Sequence, residues 1–241
     1  MPIALRPLSS ESVNYYVNFT NFRFSEFKLS AFLPWPGGSK VRGTSPDWHP
    51  FMNRLENWFC ASSIWRFFTE RKLLPWIVSG YRLGDHVLEV GAGPGATTKE
   101  LSRRADHVTS LEYDPNYVAK LAEKYKGSNV TVVRGDAAAL PFPDNSFSSV
   151  VAVLVLHHLR SREQQDRAFQ EFHRVLQPGG MFFAFEIRDG WWHRVIHHKS
   201  TFVPVAPASA FGRLTTAGFS RIAVDIERSA FRVCALRAHE A

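Results

Sequence analysis

VLEVGAGPG, residues 87–95, is a short apolar run that gives way to three glycines at alternate positions. The run HVLEVG reads as a buried strand, and ATTKELSRRA after it reads as a helix. The glycines fall in the turn between them. A residue without a Cβ tolerates positive φ and lets a ligand approach the backbone. The helix that follows presents unpaired N–H groups and a positive dipole end to an anion. The stretch therefore reads as a backbone cradle for something small and partly anionic. A glycine turn alone is unspecific, and the G-x-G-x-G spacing here departs from the dinucleotide fingerprint G-x-G-x-x-G, because Ala96 takes its last place.

Outward from that turn the pattern is regular. HVTSLEY and NVTVVRG read as further strands, and Asp114 with Pro115 opens an intervening helix as N-cap and first helical residue. FSSVVAVLVL barely alternates, as a strand buried on both faces does. Ser161 and Gln164 form a capping-box pattern before a helix carrying Phe169, Phe172 and Leu176, which ends at QPGG. MFFAFEI is a fifth strand; Phe211 and Leu214 lie on a short helix ended by Gly218. SRIAVDIERSAFRVCALRA then reads as two strands joined by a tight turn. Alternating strands and helices predict an α/β, Rossmann-like parallel sheet with helices on both faces, and the last two strands predict an antiparallel hairpin at one edge.

Upstream the reading is different. Residues 1–50 carry aromatic residues without clean periodicity and a Pro/Gly-rich loop at Pro34–Lys40, and read as an N-terminal arm, disordered or draped on the core. Residues 51–80 read as an aromatic helical cap, with Leu55, Trp58, Phe59, Trp65, Phe68 and Leu73 at helical spacing. That face suits plain packing on the main domain, a lid, or a helix lying on a membrane. The rest, 81–241, is the main domain.

Bulk properties narrow the class. The 241 residues are 45% hydrophobic and 21% charged, ordinary for a globular chain. The longest apolar run, Val150–Leu156, falls far short of the roughly 20 residues that span a bilayer, and no secretory signal is evident. The two cysteines, Cys60 and Cys234, offer no disulfide framework or cysteine-built metal site, and fit a reducing cytoplasm. The net charge of +7 comes without a block of consecutive basic residues, so nucleic acid is a less favoured partner than a small molecule.

Three acids stand at strand ends. Glu112, roughly 20 residues past the glycines, is placed to accept hydrogen bonds from two ribose hydroxyls. Asp136 in RGDA is placed to accept from an adenine amino group, and Glu89 to face an ammonium. Together with the glycine turn they describe a pocket for a zwitterionic nucleoside.

With these segments in view, residues 81–186 resemble a class I S-adenosylmethionine-dependent methyltransferase, of the broad type that includes the ubiquinone/menaquinone biosynthesis enzymes. The resemblance rests on VLEVGAGPG, VTSLEYDP, VVRGDAAALPFPDNSFSSVVAVLVLHHL and VLQPGGMFFAFE, in that order. It implies a seven-stranded sheet and S-adenosyl-L-methionine as cofactor. It also implies that Gly91, Ala92, Gly93 and Gly95 hold the methionine part, that Glu112 binds ribose, that Tyr113 stacks near the adenine, that Asp136 and Ala137 bind it, and that Val153 lies beside the methionine moiety. One departure is Ser148, where such proteins often carry Asp.

The implied activity is methyl transfer to a small-molecule O, N or C nucleophile. His157 and His158, after the fourth strand, are candidate bases for an acceptor that must lose a proton; in the resembling family such a pair is often structural. Trp191, Trp192 and His193 are candidates for a substrate wall, which favours an apolar or aromatic acceptor. His193 and His197 have helical metal-ligand spacing but no local acid partner, so no metal is expected. The rival functions are an rRNA adenine methyltransferase, which would want an Asn/Asp-Pro-Pro-aromatic motif where LHHL stands, and a non-catalytic cofactor-binding regulator. A peripheral membrane contact through the aromatic segment is a further expectation.

Overall fold

The computed structural model describes Asn53, Trp58 and residues 60–239. The expected N-terminal arm, the loop at Pro34–Lys40, Leu55 and Phe59 lie outside the described residues. The first helical stretch runs as α1 (Ser63–Phe68), a π-helical segment (Thr69–Leu73) and α2 (Leu74–Ile77). Then follow β1 (His86–Val90), α3 (Ala96–Leu101), β2 (His107–Glu112), α4 (Pro115–Lys124), β3 (Val130–Arg134) and β4 (Phe147–Val153). A 3₁₀ turn (Leu156–His158) leads to α5 (Arg162–Val175), β5 (Leu176–Ile187), α6 (Trp191–Ile196), α7 (Pro207–Thr216), β6 (Ser220–Ile226) and β7 (Ala230–Leu236).

The seven strands form one sheet in the order β3-β2-β1-β4-β5-β7-β6. Strands β1 to β5 pair in parallel, and β7 pairs antiparallel with both β5 and β6. This is the predicted parallel sheet with an edge hairpin. The strand order reverses between β1 and β4, and in sheets of this kind ligands bind beyond the strands' carboxyl ends at such a switch point.

Alternation along each strand divides the core in two. Leu88 and Val90, Val150 and Ala152, and Phe182 and Ala184 face one side, packed with Phe169 and Phe172 of α5 and Leu214 of α7. Val87, Val151, Phe183 and Phe185 face the other, packed with Trp65, Leu74 and Ile77 and with Leu101 of α3. The aromatic segment's apolar residues thus form part of the layer covering the second face. Trp76 meets Phe185 edge-on at 5.9 Å. Glu89 points to this second face, which is why its partners come from α3 and β2.

The caps form as read. Asp114 accepts from Asn116 N at 2.8 Å, and Ser161 accepts from Gln164 N at 3.2 Å. Two boundaries differ from the sequence reading. QPGG does not intervene as a loop: α5 runs directly into β5, whose Leu176 pairs with Phe147 before the register shifts to Ser149 and Met181. β4 stops at Val153, because Leu154 turns into the left-handed region at φ 55° while its N–H donates to Phe185 O.

Candidate functional site

The turn after β1 is fixed from below by β2. Gly91 N and Ala92 N both donate to Leu111 O, at 2.9 and 3.3 Å. Two of the glycines serve different ends. A Cβ on Gly91, at φ 73°, would sit 2.4 Å from Val155 Cγ2, so this glycine lets the β4 loop close over the turn. A Cβ on Gly93, at φ 52°, would meet no atom within 4 Å; it would project into open space.

Glu112 closes one side of that opening. Its Oε2 accepts from Gly93 N at 2.7 Å and its Oε1 from Asp114 N at 2.8 Å. The Tyr113 backbone N–H is a third donor to it, and a carboxylate with about four lone-pair sites is thereby oriented with acceptor capacity left over. Burial raises its pKa, against the backbone N–H groups that hold the anion. Glu112 O accepts from Gly135 N at 3.1 Å, which ties the tips of β2 and β3 together and sets Asp136 next along the rim. Asp136 is half-buried, and its Oδ1 accepts from Ala138 N at 2.8 Å; Ala137 beside it is buried.

Glu89 lies deeper, 2% exposed. Its Oε2 accepts from Thr98 Oγ1 and Ser110 Oγ, both at 2.6 Å. Its Oε1 has no hydrogen-bond partner among the described residues. Burial, with the Glu112 charge adding to it, pushes this carboxyl up to about 7 against those two hydroxyl bonds. A buried oxygen left without a donor is costly to the empty fold and is a receptor for one. Val153, at the tip of β4, is half-buried on the neighbouring strand, and Tyr113 is 46% exposed on the rim.

A second polar cluster stands at the tips of β4 and β5. Glu186, fully buried, accepts from Val155 N at 2.9 Å and Leu156 N at 2.7 Å through Oε1, and meets His157 Nδ1 at 2.5 Å through Oε2. Burial pushes Glu186 up to about 7 and holds both His157 and His158 well below the usual imidazole value. With the backbone N–H groups of Val155, Leu156 and His157 on the carboxylate, the pair is described as a neutral imidazole donating Nδ1–H to Glu186. The candidate wall residues follow on α6. Trp191 and Trp192 are exposed and stack on each other at 3.9 Å, while His193 Nδ1 bonds Arg188 O at 2.7 Å.

The structure therefore brings Gly91, Ala92, Gly93, Glu112 and Asp136 together at the tips of β1, β2 and β3, with Glu89 buried one position inside the end of β1. Gly95 plays a different part, because it opens α3 and a Cβ there would strike Leu121. The sequence reading missed Thr98, Ser110 and Glu186. Their one signal is a polar side chain inside an otherwise apolar strand or at a helix start.

The reversing sheet, the 3-2-1-4-5-7-6 order and the acids on the strand tips are the arrangement that the resemblance to class I S-adenosylmethionine-dependent methyltransferases implies. Residues 88–184 match the family model described as a methyltransferase domain. The chain is 35% identical over 133 residues to the ubiquinone/menaquinone biosynthesis C-methyltransferase UbiE of Hahella chejuensis, covering 51% of this chain and 49% of that one. It is 38% identical over 112 residues to the sterol 24-C-methyltransferase ERG6B of Gibberella zeae, covering 44% of this chain and 29% of that one. The match thus spans about half or less of these curated relatives' length. Among solved structures it resembles the PH0226 protein of Pyrococcus horikoshii, with a TM-score of 0.62 at 20% identity over 73% of this chain and 92% of that one. It also resembles phosphoethanolamine N-methyltransferase 2 of Haemonchus contortus, solved with S-adenosylhomocysteine, with a TM-score of 0.59 at 15% identity over 69% of this chain and 51% of that one.

Proposed function

We propose that this protein transfers a methyl group from S-adenosylmethionine to a small-molecule nucleophile. The observation that carries the reading is the pairing of Glu112, locked across Gly93, with Glu89, whose Oε1 is buried and without a donor. A ribose diol suits the first and an ammonium the second. Gly91, Ala92 and Gly93 line the methionine end, Val153 flanks it, and Asp136, Ala137 and Tyr113 receive the adenine. The space beside Gly93 is the room the cofactor needs.

The bound cofactor supplies an electrophilic methyl on a positive sulfur. What the protein must then do is align donor and acceptor and exclude water. Trp191, Trp192 and His193 form the acceptor wall. His157 and His158, on the turn after β4, are the candidate bases, His158 the less buried of the two. The relatives named for quinone and sterol C-methylation favour an apolar acceptor.

Titration calorimetry with S-adenosylmethionine and S-adenosylhomocysteine tests the pocket. The wild type binds both, and Glu112→Ala weakens both by about 10–100-fold, as loss of a charge-assisted pair does at about 1.5–3 kcal/mol, with an unchanged circular dichroism spectrum. Equal affinity in the variant overturns the assignment. Release of S-adenosylhomocysteine with quinone-like phenols separates an enzyme from a cofactor-binding regulator.

A further inference from the structure

We propose that His157, His158 and His197 bind a divalent transition metal ion, zinc in the first place. One ring nitrogen from each lies within 4.8 Å of the others. Two of the residues are neighbours on the 3₁₀ turn after β4, and the third follows α6, so the fold and not a sequence motif brings them together. The ring centroids lie 4.2 Å apart for His157–His158, 5.1 Å for His157–His197 and 5.6 Å for His158–His197.

What distinguishes the cluster from packed imidazoles is how each ring is held. His157 Nδ1 meets Glu186 Oε2 at 2.5 Å, His158 Nδ1 meets Thr201 O at 3.2 Å, and His197 Nδ1 meets His193 O at 2.7 Å. The two carbonyls can only accept, which puts the proton of His158 and His197 on Nδ1 and the lone pair on Nε2, and Glu186 as a carboxylate does the same for His157. An outer carboxylate or carbonyl that fixes the tautomer and orients the ring is the arrangement metal-bound histidines use. Phe202 packs against His197 at 4.5 Å and His157 at 5.6 Å, giving the site an apolar wall. Zinc–nitrogen bonds of about 2.0–2.1 Å set ligand nitrogens about 3.4 Å apart in a tetrahedron. From separations of up to 4.8 Å, metal entry therefore requires the ligand nitrogens to close by up to about 1.4 Å, through rotation of side chains.

Three nitrogen ligands leave a position for water or for an acceptor's hydroxyl, whose proton then passes to solvent more readily. That use rests on the methyl-transfer reading; the metal site does not. With metal bound, the two histidines after β4 serve as ligands and the metal takes over activation of the acceptor.

The test uses the full chain, untagged and stripped with a chelator. Titration with cobalt(II) is expected to give a visible d–d band that saturates at one equivalent and is bleached by zinc(II). His197→Ala and His158→Ala abolish the band. Glu186→Gln weakens zinc affinity about 10–100-fold, the usual effect of an outer partner. His198→Ala, at an exposed neighbour, leaves it unchanged. A wild type without the band, or a His197→Ala protein that keeps it, overturns the proposal. The wild-type result stands even if a variant fails to fold. Calorimetry with S-adenosylmethionine on the metal-free protein reads the other site separately: metal uptake without cofactor uptake would sink the methyl-transfer reading alone.

Discussion

Glu89 is the residue whose charge depends most on what occupies the candidate site. Burial raises its carboxyl to about 7, so the empty protein holds it protonated below that pH. A ligand ammonium prefers the anion, and binding below pH 7 must first expel the proton. Cofactor affinity is thus full above the raised pKa and falls as pH drops through it, by about tenfold per unit or about 1.4 kcal/mol. Calorimetry at pH 6 and pH 8 is expected to show a rise of about that size, with proton release at the lower pH. Glu89→Gln should bind more weakly and show no such slope; a slope that survives the substitution assigns it elsewhere. The glycines make a second contrast. Gly91→Ala combines a left-handed backbone with a Cβ 2.4 Å from Val155 and should cost about 2–4 kcal/mol of stability by urea unfolding. Gly93→Ala has open space around it, so its stability cost is the backbone term alone, about 1–2 kcal/mol. Its main effect should be weaker cofactor binding.

Where β1 begins, Ser148 stands in for the more usual Asp. Its Oγ accepts from His86 N at 3.1 Å and lies 2.9 and 2.8 Å from the carbonyls of Leu83 and His86, so one hydroxyl serves as both donor and acceptor. Leu83 O keeps Ser149 Oγ as a donor at 2.6 Å, but Ser148→Ala takes the side-chain acceptor from the part-buried His86 N–H and should cost about 1–2 kcal/mol, read from the shift in urea midpoint at constant m-value. The elements themselves are legible because strand and helix periods differ and the caps at Asp114 and Ser161 mark the starts. The acids of the candidate site are legible because a strand end followed by a turn is a position that sequence pattern gives directly. Glu186 and His197 are not: their meaning depends on β4 and β5 being neighbours and on α6 folding back, which no local pattern states. The π-helical Thr69–Leu73 is equally silent, since its residues have helical periodicity either way.

Among the described residues several arginines are paired with acids, and this bears on the nucleic-acid alternative. Arginines pair with acids on separate elements: Arg104 with Glu100 on α3, Arg174 with Glu171 and Asp144, Arg194 with Asp189, Arg213 with Asp166, and Arg232 with Asp225. A duplex or rRNA hairpin binds through several phosphates neutralised together, and each neutralised phosphate steepens the fall of affinity with salt. Arginines already paired at scattered sites do not make one such footprint. Binding to a structured RNA is therefore expected to be weak at low salt and lost at about 0.15 M, where charges more than about 8 Å apart are screened. An electrophoretic mobility shift across that range checks it. Sub-micromolar binding that persists at about 0.15 M, with a log–log slope of several phosphates, would restore the RNA substrate and displace the small acceptor.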